Sequence, residues 1–131
     1  MVSAYGLGTR DIKLKIVVAN LYLGIDTAIP CGVIVNELVS NSLKHAFPDD
    51  RPGEINIGFR LTDGQYVMVF KDNGVGFPHD MNIASPTSLG LTIVNALTEQ
   101  LGGAINFTRN GGSEVKITFP AVEAGKGIEH G

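Results

Sequence analysis

The most informative stretch of the chain is residues 36–46, Asn-Glu-Leu-Val-Ser-Asn-Ser-Leu-Lys-His-Ala. We expect a helix over residues 33–46, because side chains placed about 100° apart around its axis separate into two faces. The apolar face contains Ile34, Val35, Leu38, Val39, Leu43 and Ala46. The polar face contains Asn36, Glu37, Ser40, Asn41, Lys44 and His45. This polar set can hold a metal ion and phosphate groups, although an ordinary solvated helix face has the same pattern.

A predicted strand and a glycine-rich loop follow further along the chain. The run Tyr66-Val67-Met68-Val69-Phe70 is typical of a buried strand, and it leads into Asp72-Asn73-Gly74-Val75-Gly76. A carboxylate at a strand end can accept a hydrogen bond from an exocyclic amine, and glycines let the backbone approach a flat ring. Taken alone, a loop of this composition is equally typical of an ordinary turn.

Length and composition indicate one globular domain. The chain has 131 residues, of which 44% are apolar and 18% are charged, and this length is sufficient for a hydrophobic core. The net charge of −3 argues against a protein that binds nucleic acid by broad phosphate neutralisation. The single cysteine, Cys31, cannot form an internal disulfide and is expected in or near the core.

The ends of the chain and its hydropathy suggest a simple organisation. We expect a flexible lead-in over residues 1–10, a folded domain over residues 11–120 and a flexible tail over residues 121–131. No run approaches the roughly 20 apolar residues of a membrane span. The expected location is therefore cytoplasmic, without direct membrane contact by this domain, either as a free protein or as the cytosolic part of a membrane-anchored sensor.

Periodicity predicts five strands and two main helices. A strand is predicted over residues 12–18, and Asp26 or Thr27 is the predicted cap of the first helix, with Pro30 in its first turn. The later elements are a hairpin over 55–71, a helix over 91–101 capped by Ser88 and stopped by Gly102-Gly103, and a hairpin over 105–119. Residues 74–88 have no clear period, and we interpret them as a lid.

This order of elements predicts an α/β (α+β) fold. Strands joined by tight turns must pair antiparallel, and the helices must cover a sheet face. We therefore expect a two-layer α/β sandwich with a mixed, mostly antiparallel sheet covered by helices on one face. The absence of an alternating βαβ series and of a phosphate-binding glycine loop between strand and helix argues against a dinucleotide-binding fold.

Four ordered motifs give the chain a family resemblance. It resembles the catalytic ATP-binding domain of sensor histidine kinases, in the group that also holds Hsp90, DNA gyrase B and MutL and shares the Bergerat ATP-binding fold. Residues 36–46 resemble the N box of that family, residues 72–77 its G1 box, residues 88–91 its G2 box, and residues 111–120 its last glycine turn and strand. Residues 26–32 are similar to the subfamily with a variant (HisKA_2-type) phosphoacceptor domain.

The resemblance implies a role for each polar residue of the N box. Asn41 is expected to bind Mg²⁺, an ion that takes few protein ligands and keeps waters and phosphate oxygens. Lys44 is expected to contact phosphate directly. Glu37 is the expected catalytic residue, which orients or deprotonates the attacking group. His45 either contacts phosphate or edges the site.

The other motifs are expected to bind the remaining parts of ATP. Asp72 would accept a hydrogen bond from the adenine amino group, and Ser113 would assist it directly or through water. Gly74 and Gly76 would let the backbone pass close to the base and ribose. The G2 residues would place a helix N-terminus at the phosphates; they are Ser88, Leu89, Gly90 and Leu91.

The implied function is that of a two-component kinase domain that binds Mg-ATP. Its γ-phosphate would go to a histidine on a separate dimerisation and phosphoacceptor domain, which this chain lacks, and a response regulator would act downstream. His45, His79 and His130 do not replace that acceptor, so the isolated fragment is expected to have little activity. The alternatives are an anti-sigma-type serine kinase and a non-catalytic ATP-sensing interaction module.

The lid departs from the family in lacking an evident aromatic F box, and Ser88 stands where many relatives have glycine.

Overall fold

The computed structural model describes residues 11–19, 21–76, 89–109 and 111–121, apart from the side chains of residues 50 and 89. The strands in chain order are β1 (Ile12–Val18), β2 (Gly53–Thr62), β3 (Gln65–Asp72), β4 (Ala104–Arg109) and β5 (Ser113–Pro120). The main helices are α1 (Ile25–His45) and α2 (Leu89–Gln100), and a short 3₁₀ helix spans Pro48–Asp50. The predicted lead-in over residues 1–10, most of the predicted lid and residues 122–131 lie outside the described part.

The five strands form one mixed sheet in the order β1-β2-β3-β5-β4. β1 pairs parallel with β2, whereas the three other pairings are antiparallel. Asp72 at the end of β3 lies opposite Ile55 on one neighbouring strand and Ser113 on the other. The predicted two-layer sandwich with a mixed, mostly antiparallel sheet is therefore confirmed.

The core lies between the two helices and one face of the sheet. Alternate residues of each strand point to this face, because side chains in a strand have a period of two. The innermost side chains come from both layers: Ile34, Ile55, Met68, Val94, Val115 and Ile117. α1 and α2 also pack against each other, so the described helices cover the sheet from one side only.

The start of α1 differs from the sequence prediction. Its N-cap is Gly24, whose carbonyl accepts hydrogen bonds from the N–H groups of Thr27 and Ala28 at 3.0 and 2.9 Å. The prediction of Asp26 or Thr27 as the cap is therefore wrong, and no described side chain caps this end. Asp26 instead lies in the first turn, where the helix dipole favours a carboxylate. Pro30 lies inside the helix rather than in its first turn.

The end of α2 agrees with the predicted glycine stop. Gly102 has φ of 73°, its N–H donates to the Glu99 carbonyl at 2.9 Å, and the N–H of Gly103 donates to the Thr98 carbonyl at 3.0 Å. These two bonds satisfy carbonyls that a helix end otherwise leaves unpaired. The predicted cap at its other end, Ser88, lies outside the described residues.

The residue after β5, Ala121, packs against the core, and its N–H donates to the Gly64 carbonyl at 2.9 Å.

Among the described residues, no helix has the length and apolar character that crossing a membrane requires.

Candidate functional site

The candidate site is centred on the carboxylate of Asp72. The strand alternation that buries Met68 and Phe70 also turns Asp72 towards α1, because all three have the same parity along β3. Asp72 is the last residue of the strand and is only 5% exposed. A buried carboxylate at this place needs hydrogen-bond donors, since an ionised group in the protein interior is otherwise costly.

Three donors surround Asp72. The hydroxyl of Ser42 donates to Oδ2 at 2.6 Å. The backbone N–H groups of Gly74 and Ser113 both donate to Oδ1, at 3.0 and 3.1 Å. A carboxylate has roughly four acceptor positions, so Oδ2 can accept one more hydrogen bond from a ligand.

Ser42, for which the sequence predicted no role, is a direct partner of Asp72. Ser42 is buried, and it lies on the apolar side of α1 with Leu38 and Val39. The sequence contains a signal for this role, because on a helical wheel Ser42 falls between Leu38 and Val35, in the middle of the apolar face. A serine at such a position requires a buried partner.

Two glycines allow the loops around Asp72 to come together. A Cβ on Gly74 would overlap the carbonyl oxygen of Ala46, and the neighbouring N–H of Val75 donates to that oxygen at 2.9 Å. Gly112 has φ of 139°, and a Cβ there would meet the Asp72 carbonyl. The glycines thus bring the β3 loop against the end of α1 and against the β4–β5 turn.

Two further residues of the predicted G1 box, Asn73 and Gly76, shape the loop in different ways. The side chain of Asn73 accepts a hydrogen bond from the N–H of Glu54 at 2.8 Å, and the N–H of Asn73 donates to the Glu54 carbonyl at 3.2 Å. These bonds continue the pairing of β2 with β3 one residue beyond the end of β3. Gly76 has φ of 84°, and a Cβ there would lie 3.1 Å from the Gly112 carbonyl oxygen.

The polar face of α1 carries the predicted catalytic and metal-binding side chains. Glu37 and Asn41 are half-buried and one helical turn apart, whereas Lys44 and His45 are exposed in the last turn. The Glu37 carboxylate lies at the start of α2, since a Cβ on Gly90 would be 3.7 Å from Glu37 Oε2. The N box and the G2 box therefore meet at this point.

The described part of the G2 box lies at the start of α2 and includes one core residue. Leu91 is 3% exposed and belongs to the core, so its side chain anchors the start of α2. The first N–H groups of a helix have no partner within the helix and favour anions. Ser88 and the side chain of Leu89 lie outside the described residues.

A cleft with two arginines adjoins the Asp72 loop. Its volume is about 590 Å³, and its described lining residues are Arg51, Asn73, Gly74, Val75, Arg109, Gly111 and Gly112. Neither Arg51 nor Arg109 has a role predicted from the sequence. Arg51 follows the 3₁₀ helix, whereas Arg109 is the last residue of β4, and the register that pairs Arg109 with Ser113 brings it to this end of the sheet.

The donor set on α1 fits a hard divalent cation. Glu37 and Asn41 offer oxygen atoms, and Mg²⁺ prefers oxygen ligands and retains several waters or phosphate oxygens. Within the described ranges, no group of three or more His, Cys, Asp or Glu side chains is placed to form a metal cage by itself.

The fold and this arrangement define a class of ATPase. The chain belongs to the histidine kinase-, DNA gyrase B- and HSP90-like ATPases, because the model of that family matches residues 28–123. The predicted family is thereby confirmed.

Individual relatives narrow this class to histidine kinases. The chain is 32% identical over 115 residues to a blue-light-activated histidine kinase of Erythrobacter litoralis, covering 86% of this chain and 33% of that protein. It is 30% identical over 121 residues to the sensor histidine kinase PdtaS of Mycobacterium tuberculosis, covering 89% of this chain and 24% of that protein. The chain thus spans at most a third of the length of these relatives.

A solved structure agrees with these relatives. The histidine kinase domain of a blue-light-activated kinase from Erythrobacter litoralis superposes with a TM-score of 0.77 at 32% identity. The match covers 84% of this chain and 52% of that one. Together with the family match, the relatives support a sensor histidine kinase ATP-binding domain as the class of this chain.

Proposed function

We propose that this chain binds Mg-ATP and donates the γ-phosphate to a histidine on a separate helical phosphoacceptor domain of a two-component kinase. The observation that carries the proposal is the buried Asp72 carboxylate, which three donors hold and which retains an acceptor position on Oδ2. The similarity to named histidine kinases supports the class of reaction.

Asp72 would select the base. The adenine amino group is a donor and would complete the hydrogen bonds of the carboxylate. Guanine presents a carbonyl oxygen at the corresponding position, so two acceptors would face each other in a buried place. Because an unpaired buried acceptor is costly, ATP should bind more tightly than GTP.

The N box and G2 box would hold the phosphates. Asn41 would supply its amide oxygen as a ligand to Mg²⁺, and Lys44 would contact phosphate as a point charge. His45 lies next to it in the last turn and is a second candidate contact. The start of α2 at Gly90 and Leu91 would offer backbone N–H groups to the same anion.

Glu37 would act as the general base. It would take the proton that the acceptor imidazole loses while a bond forms between the imidazole nitrogen and the γ-phosphorus. The bond from that phosphorus to the bridging oxygen then breaks, and ADP leaves. Such a transfer depends on positioning and charge neutralisation more than on covalent work by the protein.

Calorimetric titration with ATP and GTP, each with Mg²⁺, tests the nucleotide site. We expect selective ATP binding and a loss of about tenfold to hundredfold in affinity for Asp72→Asn, because a hydrogen bond to a charged group contributes about 1.5–3 kcal/mol. Asn41→Ala should weaken binding only when Mg²⁺ is present.

Two matched variants serve as controls for that titration. Asp63→Asn makes the same change at the exposed β2–β3 turn, and Asn106→Ala removes an exposed amide from β4. Both should bind ATP as the native chain does. Equal affinity for ATP and GTP, or an Asp72→Asn variant that binds like the native chain, would contradict the assignment of Asp72.

Phosphotransfer is tested with an acceptor. The probe is the part of the Erythrobacter litoralis histidine kinase domain outside the region of similarity, purified separately and mixed with this chain and labelled ATP. We expect acid-labile, alkali-stable label on the probe, and a rate reduced by about 10²–10⁴ for Glu37→Gln but not for Glu99→Gln.

Other products of that assay would favour the alternatives. Acid-stable phosphoserine on a partner would support the anti-sigma-type serine kinase. ATP-dependent association without any transfer, unchanged in Glu37→Gln, would support a nucleotide-sensing interaction module.

A further inference from the structure

Exposed apolar side chains concentrate in one short part of the chain. Among the described residues, eight large apolar side chains are exposed, and six of these lie between residues 17 and 33. They are Val17, Val18, Tyr22, Ile25, Ile29 and Val33. Single exposed apolar residues are ordinary, but a cluster of this kind marks an interaction surface.

Three of these residues form a continuous stripe on α1. Ile25, Ile29 and Val33 are four residues apart and are 72%, 61% and 39% exposed, and residues at this spacing share a helix face. We call them the apolar stripe. The next residue in the same series is Glu37, one turn or about 6 Å further along the helix axis. The face of α1 that carries the apolar stripe therefore becomes polar at Glu37, the candidate catalytic residue.

We propose that the apolar stripe is the docking surface for an amphipathic helix of the phosphoacceptor domain, which presents its histidine beside Glu37. This inference rests on the proposed function and adds to it the surface that the partner uses. A helix that packs on Ile29 and Val33 continues within one turn to Glu37 and to the start of α2 at Gly90, so docking would also set the position of the acceptor.

Charge indicates the kind of helix that fits. Between residues 25 and 43 the charged side chains of α1 are Asp26 and Glu37, and both are acidic. The partner helix should therefore carry basic residues beside its apolar face. A second copy of this chain fits less well, because its own stripe is accompanied by the same acidic residues, Asp26 and Glu37, and by no basic residue between positions 25 and 43.

The relatives have the additional sequence that such an arrangement needs. The matched region covers 33% of the Erythrobacter litoralis kinase and 52% of the solved histidine kinase domain from that organism. A stripe of this kind would be covered when the remaining part of such a kinase is present.

The variant Ile29→Asp tests the surface. Aspartate is tolerated near a helix N-terminus, so α1 should stay folded, and circular dichroism checks this. The matched control is Leu61→Asp on β2, which introduces the same charge. Leucine is an isomer of isoleucine, and the side chain of Leu61 is 48% exposed. Ile29→Leu is the conservative variant and should behave as the native chain.

The probe is the separately purified remainder of the Erythrobacter litoralis histidine kinase domain. We expect Ile29→Asp to weaken probe binding about tenfold, as expected for a central apolar anchor, and to slow labelling of the probe at subsaturating concentration. Its affinity for ATP should equal that of the native chain. Leu61→Asp should change none of the three quantities.

Several results would overturn the inference. Native-like probe binding by Ile29→Asp would do so, as would failure of the native chain to bind the probe. Sedimentation that shows a native dimer dissociated by Ile29→Asp would assign the stripe to a second copy. Because probe binding is measured without nucleotide, a failure of ATP binding would instead count against the proposed function.

Discussion

The carboxylate of Asp72 depends on donors from three separate parts of the chain. Ser42 comes from α1, Gly74 from the loop after β3, and Ser113 from the start of β5. Two of these donors are backbone N–H groups, which substitution does not remove. The Ser42 hydroxyl is the donor that mutagenesis can delete, so it reports directly on how much this cluster stabilises the site.

Ser42→Ala should destabilise the protein. The change leaves Oδ2 of a buried carboxylate without a donor, which costs about 1–3 kcal/mol. Urea unfolding measures this loss, and Ser40→Ala on the polar face of the same helix is the control, expected within about 0.5 kcal/mol of the native chain. An equal loss in both variants would argue against the hydrogen bond as the cause, because the change to alanine raises helix propensity at both positions.

Cys31 gives a second prediction, on pH. Burial raises the pKa of its thiol from the ordinary 9.0 to about 11. As pH rises above 9, the unfolded chain releases the thiol proton first, so this group's contribution to stability is lost between pH 9 and about 11. Urea unfolding at two pH values across this interval should show a larger decrease for the native chain than for Cys31→Ala.

Thiol reactivity gives an independent check on Cys31. The thiolate is the reactive form, and the side chain is 5% exposed. A disulfide reagent at neutral pH should therefore react slowly with the folded chain and rapidly in denaturant. Fast reaction of the folded chain would contradict the buried, protonated state of this side chain.

The contact between α1 and the β3 loop shows how elements position the site. Gly74 approaches the last turn of α1 so closely that a Cβ would overlap Ala46. The same helix carries Ser42 towards Asp72 on one side and Glu37 towards α2 on the other. A displacement of α1 would therefore affect the base site and the phosphate site together.

Two glycine substitutions should have opposite effects on stability. Gly74→Ala should lower the free energy of unfolding by about 1–3 kcal/mol, because the backbone must move away from Ala46. Gly32→Ala should raise it by about 0.5–1 kcal/mol, because Gly32 is exposed within α1 and its Cβ position is free of close contacts beyond its chain neighbours and the helix's own backbone. Thermal or urea unfolding distinguishes them, and a loss in both variants would argue against close approach as the cause.

The whole molecule has two layers and two distinct ends. The Asp72 end of the sheet carries the candidate nucleotide site, whereas the β2–β3 turn, with Asp63 and Gly64, lies at the opposite end. The sheet face away from the helices carries Lys13, Lys15 and Lys71, and the exposed pair of Lys71 with Glu114 at 3.7 Å should contribute little to stability. The effect of a bound nucleotide on local stability should therefore be strongest at the Asp72 end of the sheet.

Mg-ATP should stabilise the folded chain in proportion to its affinity. A ligand that binds only the folded state adds about 2.7 kcal/mol at a concentration of 100 Kd. Hydrogen exchange should show increased protection around residues 37–46 and 72–76, and little change at residues 61–66. Uniform protection, or protection of the distal turn alone, would place the ligand elsewhere, and Asp72→Asn should reduce the effect.

Local patterns in the sequence were sufficient for the helices and strands, and they supplied most of the residues that we propose for the site. The alternation along β1 and β3, the polar and apolar faces of α1, and the glycine stop of α2 each reflect contacts within a few residues. Ordered motifs then identified the family. The cap of α1 was mispredicted because Asp26 is a good cap by type, whereas the chain entering from β1 lets the carbonyl of Gly24 begin the helix.

Long-range placement required the folded structure. The parallel pairing of β1 with β2, the hydrogen bond from Ser42 to Asp72, and the cleft with Arg51 and Arg109 all join parts of the chain that no local period relates. Periodicity records which side chains are buried, because burial follows the repeat of a helix or strand. It does not record which buried groups meet, because that depends on the packing of α1 against the ends of the strands.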